Sequence, residues 1–451
     1  MFPLKLAFIS PHLEGGTIAL RLKPIPKLQL LPRGKDIISV LLAILGITIT
    51  SGVCYLTLCQ AHPIFASEGE NLSLMTKAEF LTAAQIEEKE YQAWLNHTNI
   101  KYKGLITSRP AKGIVHIKTK RWINGKPIRV NIIEINPKAN SKLQIKPKTA
   151  SMVLNRKASI RNIAKEENSI IAINGGYFKP QTGVPLGTLM IDKNVLTGPI
   201  YNRVALGINN DGTFSMDKSD INIEIKGKKA HIKADNINQP RMLSTYTIVY
   251  TEKWGQMTPP APKYGMSIAI KDGTVVNHNY GSIAIPKGGF AIVGPKQNIE
   301  KLLGDKKIKM DINFPESFNK SEHIIAGGPY LVKNGQMYVD IKEQKFGAIN
   351  GKNPRTAIGY TKNNEIIIVT IDGREETSVG MTLWETSKLM KDLGCEFAMN
   401  LDGGGSSVMY VNGKIENSPP YKEGIAISNA IVVNEINEET RTIADNKDAG
   451  I

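Results

Sequence analysis

Three times this chain runs from an apolar stretch into adjacent glycines: AINGGYF at 172–178, IAGGPYLVKNG at 325–335 and NLDGGGSSVMYVNG at 400–413. Glycine pairs interrupt strands where backbone must turn or come close to something else, so a chain built this way is β-rich with repeated breaks at strand ends. Two readings stay open. The breaks can be ordinary hairpins, or three glycine turns can meet at one end of a sheet and line a pocket with backbone. In the third copy, a hairpin needs only two of the glycines. The extra glycine, with Ser406 and Ser407, would let backbone N–H groups approach an anion or a sugar, with Asp402 as an acid at the strand end.

Around these breaks, 451 residues are enough for one large domain with attachments or for two domains. The formal charge is +16, but the basic residues are scattered, with no run of five, no zinc-finger spacing and no basic stripe interleaved with aromatics. That pattern argues against nucleic-acid binding and for a solvated basic surface. Residues 36–60 carry no charge after Asp36 and match the length of a membrane-crossing helix. Lys5, Arg21, Lys23, Lys27, Arg33 and Lys35 precede them, while Glu68 and Glu70 follow, which keeps the N-terminus inside. A cleaved signal peptide is the alternative; both export the remainder. Cys54 and Cys59 lie in the apolar run, which leaves Cys395 as the one thiol of the exported part and reads as a small core residue. No histidine pair has zinc-site spacing.

The expected organisation is a basic cytoplasmic tail (1–35), a transmembrane signal anchor (36–60), a linker with a stalk helix that can also pack on the domain (61–105), one large domain (106–436) and a polar tail (437–451). The domain opens with a hairpin turning at Asn124 and Gly125, continues through a helical stretch around ASIRNIAKEEN, and is otherwise short strands plus one clear helix, TLWETSKLMKDLG. The fold class is α+β: β-rich, with mixed sheets and few helices. Asp372 and Arg374 follow the strand EIIIVTI, Arg355 precedes another strand, and a helix carrying Glu385 follows. Consecutive strands joined by that helix should run parallel as neighbours, which would bring Asp372 and Asp402 to one sheet end. The plainer reading makes these acids turn caps and surface ion pairs.

NGGYF (174–178), IAGGPYLVKNG (325–335), PRTAIG (354–359), IDGR (371–374) and NLDGGGSS (400–407) occur in the order found in the phosphodiester glycosidase family, which the stretch from about 113 to 435 resembles. The resemblance implies a hydrolase that cleaves the bond between an anomeric carbon and a doubly substituted phosphate, with an N-acetylhexosamine as the expected sugar and envelope or extracellular polysaccharide as the setting. A phosphate monoester leaves readily, so such a site needs donors on phosphate oxygens more than strong acid help. Arg355 and Arg374 are the candidates for that task. Asp402 is the first candidate for the carboxylate that stabilises or attacks the anomeric carbon, followed by Asp372 and Glu385. Gly175, Gly176, Gly403, Gly404 and Gly405 would admit the sugar, with Asn174, Tyr177, Asn400 and Ser406 beside it. No cofactor is required, though a carboxylate-rich loop is a candidate for Ca2+. The expected partners are the carbohydrate phosphodiester and a membrane, through residues 36–60. The chain departs from the family at Ile425, where relatives carry an arginine. The alternative function is a non-catalytic module that holds anionic glycan at the membrane.

Overall fold

The computed structural model describes residues 82–436, together with the backbone of four short strands, Ala7–Glu14, Thr17–Pro24, Ile49–Thr50 and Val53–Cys54. The last two pair with each other inside the stretch read as membrane-spanning, and the first two lie within the expected N-terminal tail; the rest of that stretch and of that tail, and the C-terminal tail, lie outside the described residues. No helix among the described residues is long and apolar enough to cross a membrane. The chain from Phe80 onward forms one compact unit.

Its centre is an eight-stranded sheet, in spatial order Gln336–Met337, Tyr330–Lys333, Cys395–Asn400, Arg355–Thr361, Ile366–Ile371, Lys126–Ile135, Ile114–Ile123 and Ile106–Ala111. Every neighbouring pair is antiparallel. Both faces are covered, which explains why IIIVTI is apolar at five of its six positions and buried throughout. One face meets a five-stranded antiparallel sheet that includes Ile171–Asn174 and Asn429–Glu435, burying Ile133, Ile173, Ile358, Ile368, Met399 and Ile431. The other lies under the helices Ala83–Lys101 and Leu383–Asp392, with Trp94, Val130, Ile132, Ile367 and Met390 between them.

The helix expected as a stalk therefore packs on the domain. Trp94 is buried, and Lys101 Nζ and Tyr102 OH both donate to buried Glu134, at 2.7 and 2.5 Å. The hairpin turns follow local chemistry. Asn124-Gly125, Asp272-Gly273, Asn334-Gly335 and Asn412-Gly413 all take positive φ at both residues, the backbone of two-residue hairpins. Three further sheets fill residues 189–326. One joins the main core through Leu189, Leu206 and Ile325, while residues 222–313 carry separate clusters around Ile225, Ile268 and Ile292 and around Tyr250.

Strand pairing corrects one expectation and keeps its result. Ile366–Ile371 and Cys395–Asn400 are not neighbours; both pair antiparallel to Arg355–Thr361, which lies between them. They still run in the same direction. Arg355 faces Ile371, and Ala357 faces Asn400, so Arg355, Asp372 and the loop starting at Leu401 gather at one end of the sheet.

Candidate active site

The loop after Asn400 closes on its own acid. Asp402 Oδ1 accepts from Gly403 N at 2.9 Å and Oδ2 from Ser406 Oγ at 2.6 Å, bracing the short turn Gly404–Ser406 from its side. Gly404 sits at φ +60°, and its N–H donates to Pro354 O at 2.9 Å. Burial pushes the Asp402 carboxyl up to about 6, against the lowering effect of the Ser406 and Gly403 bonds. Tyr421 and Ile425 lie against Gly405; a Cβ built there would stand 3.2 Å from the Tyr421 ring and 3.6 Å from an Ile425 methyl. Ile425, the position expected to differ from the family pattern, thus faces the glycine loop with a hydrocarbon.

NGGYF plays two parts. Asn174 Nδ2 donates to Asp402 O at 2.7 Å, and Asn174 Oδ1 accepts from Thr356 Oγ1 at 2.7 Å and Val408 N at 3.2 Å. Both ends of the amide are therefore engaged in tying the loop to the sheet, which replaces the expected contact with a sugar. Gly175 and Gly176 are likewise set by packing. A Cβ would fall 2.1 Å from Asn429 Oδ1 at the first and 2.3 Å from Ala326 O at the second. Tyr177 OH, by contrast, donates to Gly328 O at 2.8 Å and accepts from Asn400 Nδ2 at 2.9 Å. Asn400 Oδ1 is buried with no protein partner. Burial and the Asp402 charge hold the Tyr177 phenol well above its ordinary value.

Three guanidinium groups surround this cluster, and none forms an ion pair with a carboxylate among the described residues. Arg203 lies 3.9 Å over the Phe346 ring and 5.3 Å from that of Tyr177, and its Nε is buried without a partner. Arg374 is exposed at φ +65° and donates through Nε and Nη2 to Asn353 Oδ1, at 3.2 and 2.8 Å. Its Nη2 stands 3.0 Å from where a Cβ on Gly404 would be, so the glycine makes room for the cation. Arg355 is buried and donates to Met381 O, Ile349 O and Gly351 O at 2.6–2.9 Å, which leaves Nη1 as its remaining donor end. Burial, and to a lesser degree Arg374, draw its pKa down.

The other two acids have separate occupations. Asp372 turns to Arg129, at 3.2 Å, and accepts from Ser418 N at 2.8 Å, lining a cleft of about 400 Å3 with Lys118, Lys120, Arg129, Asn131 and Glu416. Glu385 accepts from Thr382 N at 2.7 Å in a capping box and faces Lys352 at 3.4 Å, so helix initiation accounts for its position. Neither contacts Asp402. Sequence reasoning missed Arg203, Phe346 and Asn353, which reach the site from segments without a motif. The nearest signal was Asn353, immediately before PRTAIG.

The site is thus a glycine loop holding Asp402 at the end of the sheet, with Arg374 against Gly404 and Arg203 against Tyr177. The chain resembles the phosphodiester glycosidase family over this region, and residues 255–434 match the family model described as phosphodiester glycosidase. Over 153 residues it is 33% identical to the SPbeta prophage-derived uncharacterized protein YomE of Bacillus subtilis, covering 34% of this chain and 23% of that one. Over 112 residues it is 29% identical to mouse N-acetylglucosamine-1-phosphodiester alpha-N-acetylglucosaminidase, covering 22% of each. The chain thus spans less than a quarter of the length of these relatives. In fold it is similar to a hypothetical protein from Synechocystis, with a TM-score of 0.65, 24% identity, and coverage of 72% of this chain and 62% of that one.

Proposed function

We propose that this chain hydrolyses a sugar-1-phosphodiester, cleaving the bond from the anomeric carbon to the phosphate oxygen. The observation that carries this reading is a carboxyl held by the glycine loop that also meets Arg374 at Gly404, in a cluster whose Tyr177 lies beside Arg203, with neither arginine in an ion pair to a carboxylate among the described residues. In the proposed reaction, Arg374 and Arg203 donate to the phosphate oxygens, and Arg355 adds positive charge from beneath. The C–O bond breaks with its electron pair on the departing phosphomonoester. Asp402, ionised, stabilises the oxocarbenium-like carbon, and water adds to that carbon and passes its proton to the departing phosphomonoester. Asn400 Oδ1, buried and unpartnered, is placed to accept from a sugar hydroxyl or acetamido N–H.

An N-acetylhexosamine is the proposed sugar, by likeness to the activity for which the mouse relative is named. Action outside the cytoplasm, on envelope or extracellular polysaccharide, is proposed from the apolar segment at 36–60. The test is to incubate the protein with a panel of sugar-1-phosphodiesters, UDP-N-acetylglucosamine included, beside Asp402→Asn, and to read sugar and phosphomonoester by mass. Release that is lost in the variant supports the reading. Binding of anionic glycan with no release from any substrate replaces it with a binding module.

A further inference from the structure

At the opposite end of the strand Ile366–Ile371 from Asp372 lies a second charged cluster, under the helix Ala83–Lys101. His97 comes from that helix, Glu134 from the strand Lys126–Ile135, and Glu365 from the turn before Ile366. Their ligand atoms all lie within 4.8 Å of one another. We propose that His97, Glu134 and Glu365 bind a divalent transition-metal ion of the zinc or manganese kind, which fastens the helix to the sheet.

Hydrogen-bond accounting at Glu134 is the first support. This residue is fully buried, and Lys101 Nζ and Tyr102 OH both bond to Oε2, while Oε1 is buried with no partner. A buried carboxylate oxygen with no donor is costly to leave unmet. Charge is the second. Glu365 is also buried, with Oε2 accepting from Thr361 Oγ1 at 3.1 Å, so two carboxylates share a pocket in which Lys101 neutralises one. The other needs a proton or a cation if it is not to be buried as an uncompensated charge. One imidazole nitrogen with two carboxylate oxygens is a donor set for zinc or manganese more than for calcium, and His97, on the exposed side, leaves positions for water. Bonds of roughly 2.0–2.2 Å to one ion hold its ligand atoms no more than about 4.0–4.4 Å apart, so rotamer adjustments need only draw in separations that reach at most 4.8 Å. The ligands come from three elements far apart in the chain, so no spacing motif marks them.

The test uses the full chain, stripped with chelator and then dialysed separately against Zn2+ and Mn2+, with retained metal and melting temperature as readouts. Expected is a single ion per chain and a higher melting temperature with one of the two metals. His97→Ala, at an exposed position, should weaken retention roughly tenfold or more and lose the thermal response, with its chelated melting temperature unchanged. Glu365→Gln should lose retention as well. No retention of either metal would overturn the proposal in favour of a proton shared between the glutamates; equal retention and thermal response in both variants would overturn it too. Turnover at Asp402 is not a readout, so this result stands apart from the glycosidase assay.

Discussion

Asp402 both braces its own loop and serves as the proposed catalytic carboxylate, and the two roles predict opposite effects of removing its charge. Its pKa rises from 3.8 to about 6 on folding, so the folded state holds the proton more tightly than the unfolded chain. Stability from this group is therefore present below about 4 and is lost as pH climbs towards 6. At neutral pH, Asp402→Asn should then gain on the order of 1–3 kcal/mol, read by urea denaturation, while losing roughly 10²–10⁴-fold in kcat. A mere brace would lose stability instead. In the wild type, kcat/KM should rise with pH to a plateau above about 6, because the ionised form is the working one. Arg374→Gln touches only exposed groups. It should leave the melting temperature in place and lower kcat/KM roughly tenfold to a hundredfold, the loss of one or two charge-assisted bonds at about 1.5–3 kcal/mol.

For the helix Leu383–Asp392, the capping box gives a sharper expectation than proximity to the site does. Glu385→Ala should cost about 0.5–2 kcal/mol of stability, measured in urea, and leave turnover intact. A loss of kcat at unchanged stability would return Glu385 to the chemistry. This helix also shows where sequence reading succeeds and fails. Its start at Thr382 was legible in the helical stretch TLWETSKLMKDLG, and the Asn-Gly turn at 124–125 because φ > 0 is a local demand. The neighbour relation of the strands it joins was not legible, since Arg355–Thr361 enters between them from earlier in the chain and makes its bonds across the gap. The site divides in the same way. Asp402, Tyr177 and Arg374 lie in motifs, but Arg203 is recognisable only through its contact with Phe346, over 140 residues away in the chain. Conversely, Asn174, Gly175 and Gly176 looked like ligand contacts because glycine needed for close backbone packing and glycine needed for close ligand approach read alike.

The whole molecule carries a formal charge of +16, and its proposed substrate is an anion. Encounter should therefore be assisted at long range, and kcat/KM should fall several-fold as salt rises from about 0.01 M to 0.15 M, where the screening length shrinks from about 30 to 8 Å. A neutral glycoside tested alongside should show no such trend. The pairing of Lys126–Ile135 with Ile366–Ile371 has a consequence in time. Val130 must wait for Ile371, over two hundred residues later, before its edge is covered. At a synthesis rate of about 5–20 residues per second, the first hairpin emerges from the ribosome on the order of 10–50 s before its partner exists. For that interval RVNIIEI is an unpaired edge, so the newborn chain depends on whatever shields it during synthesis.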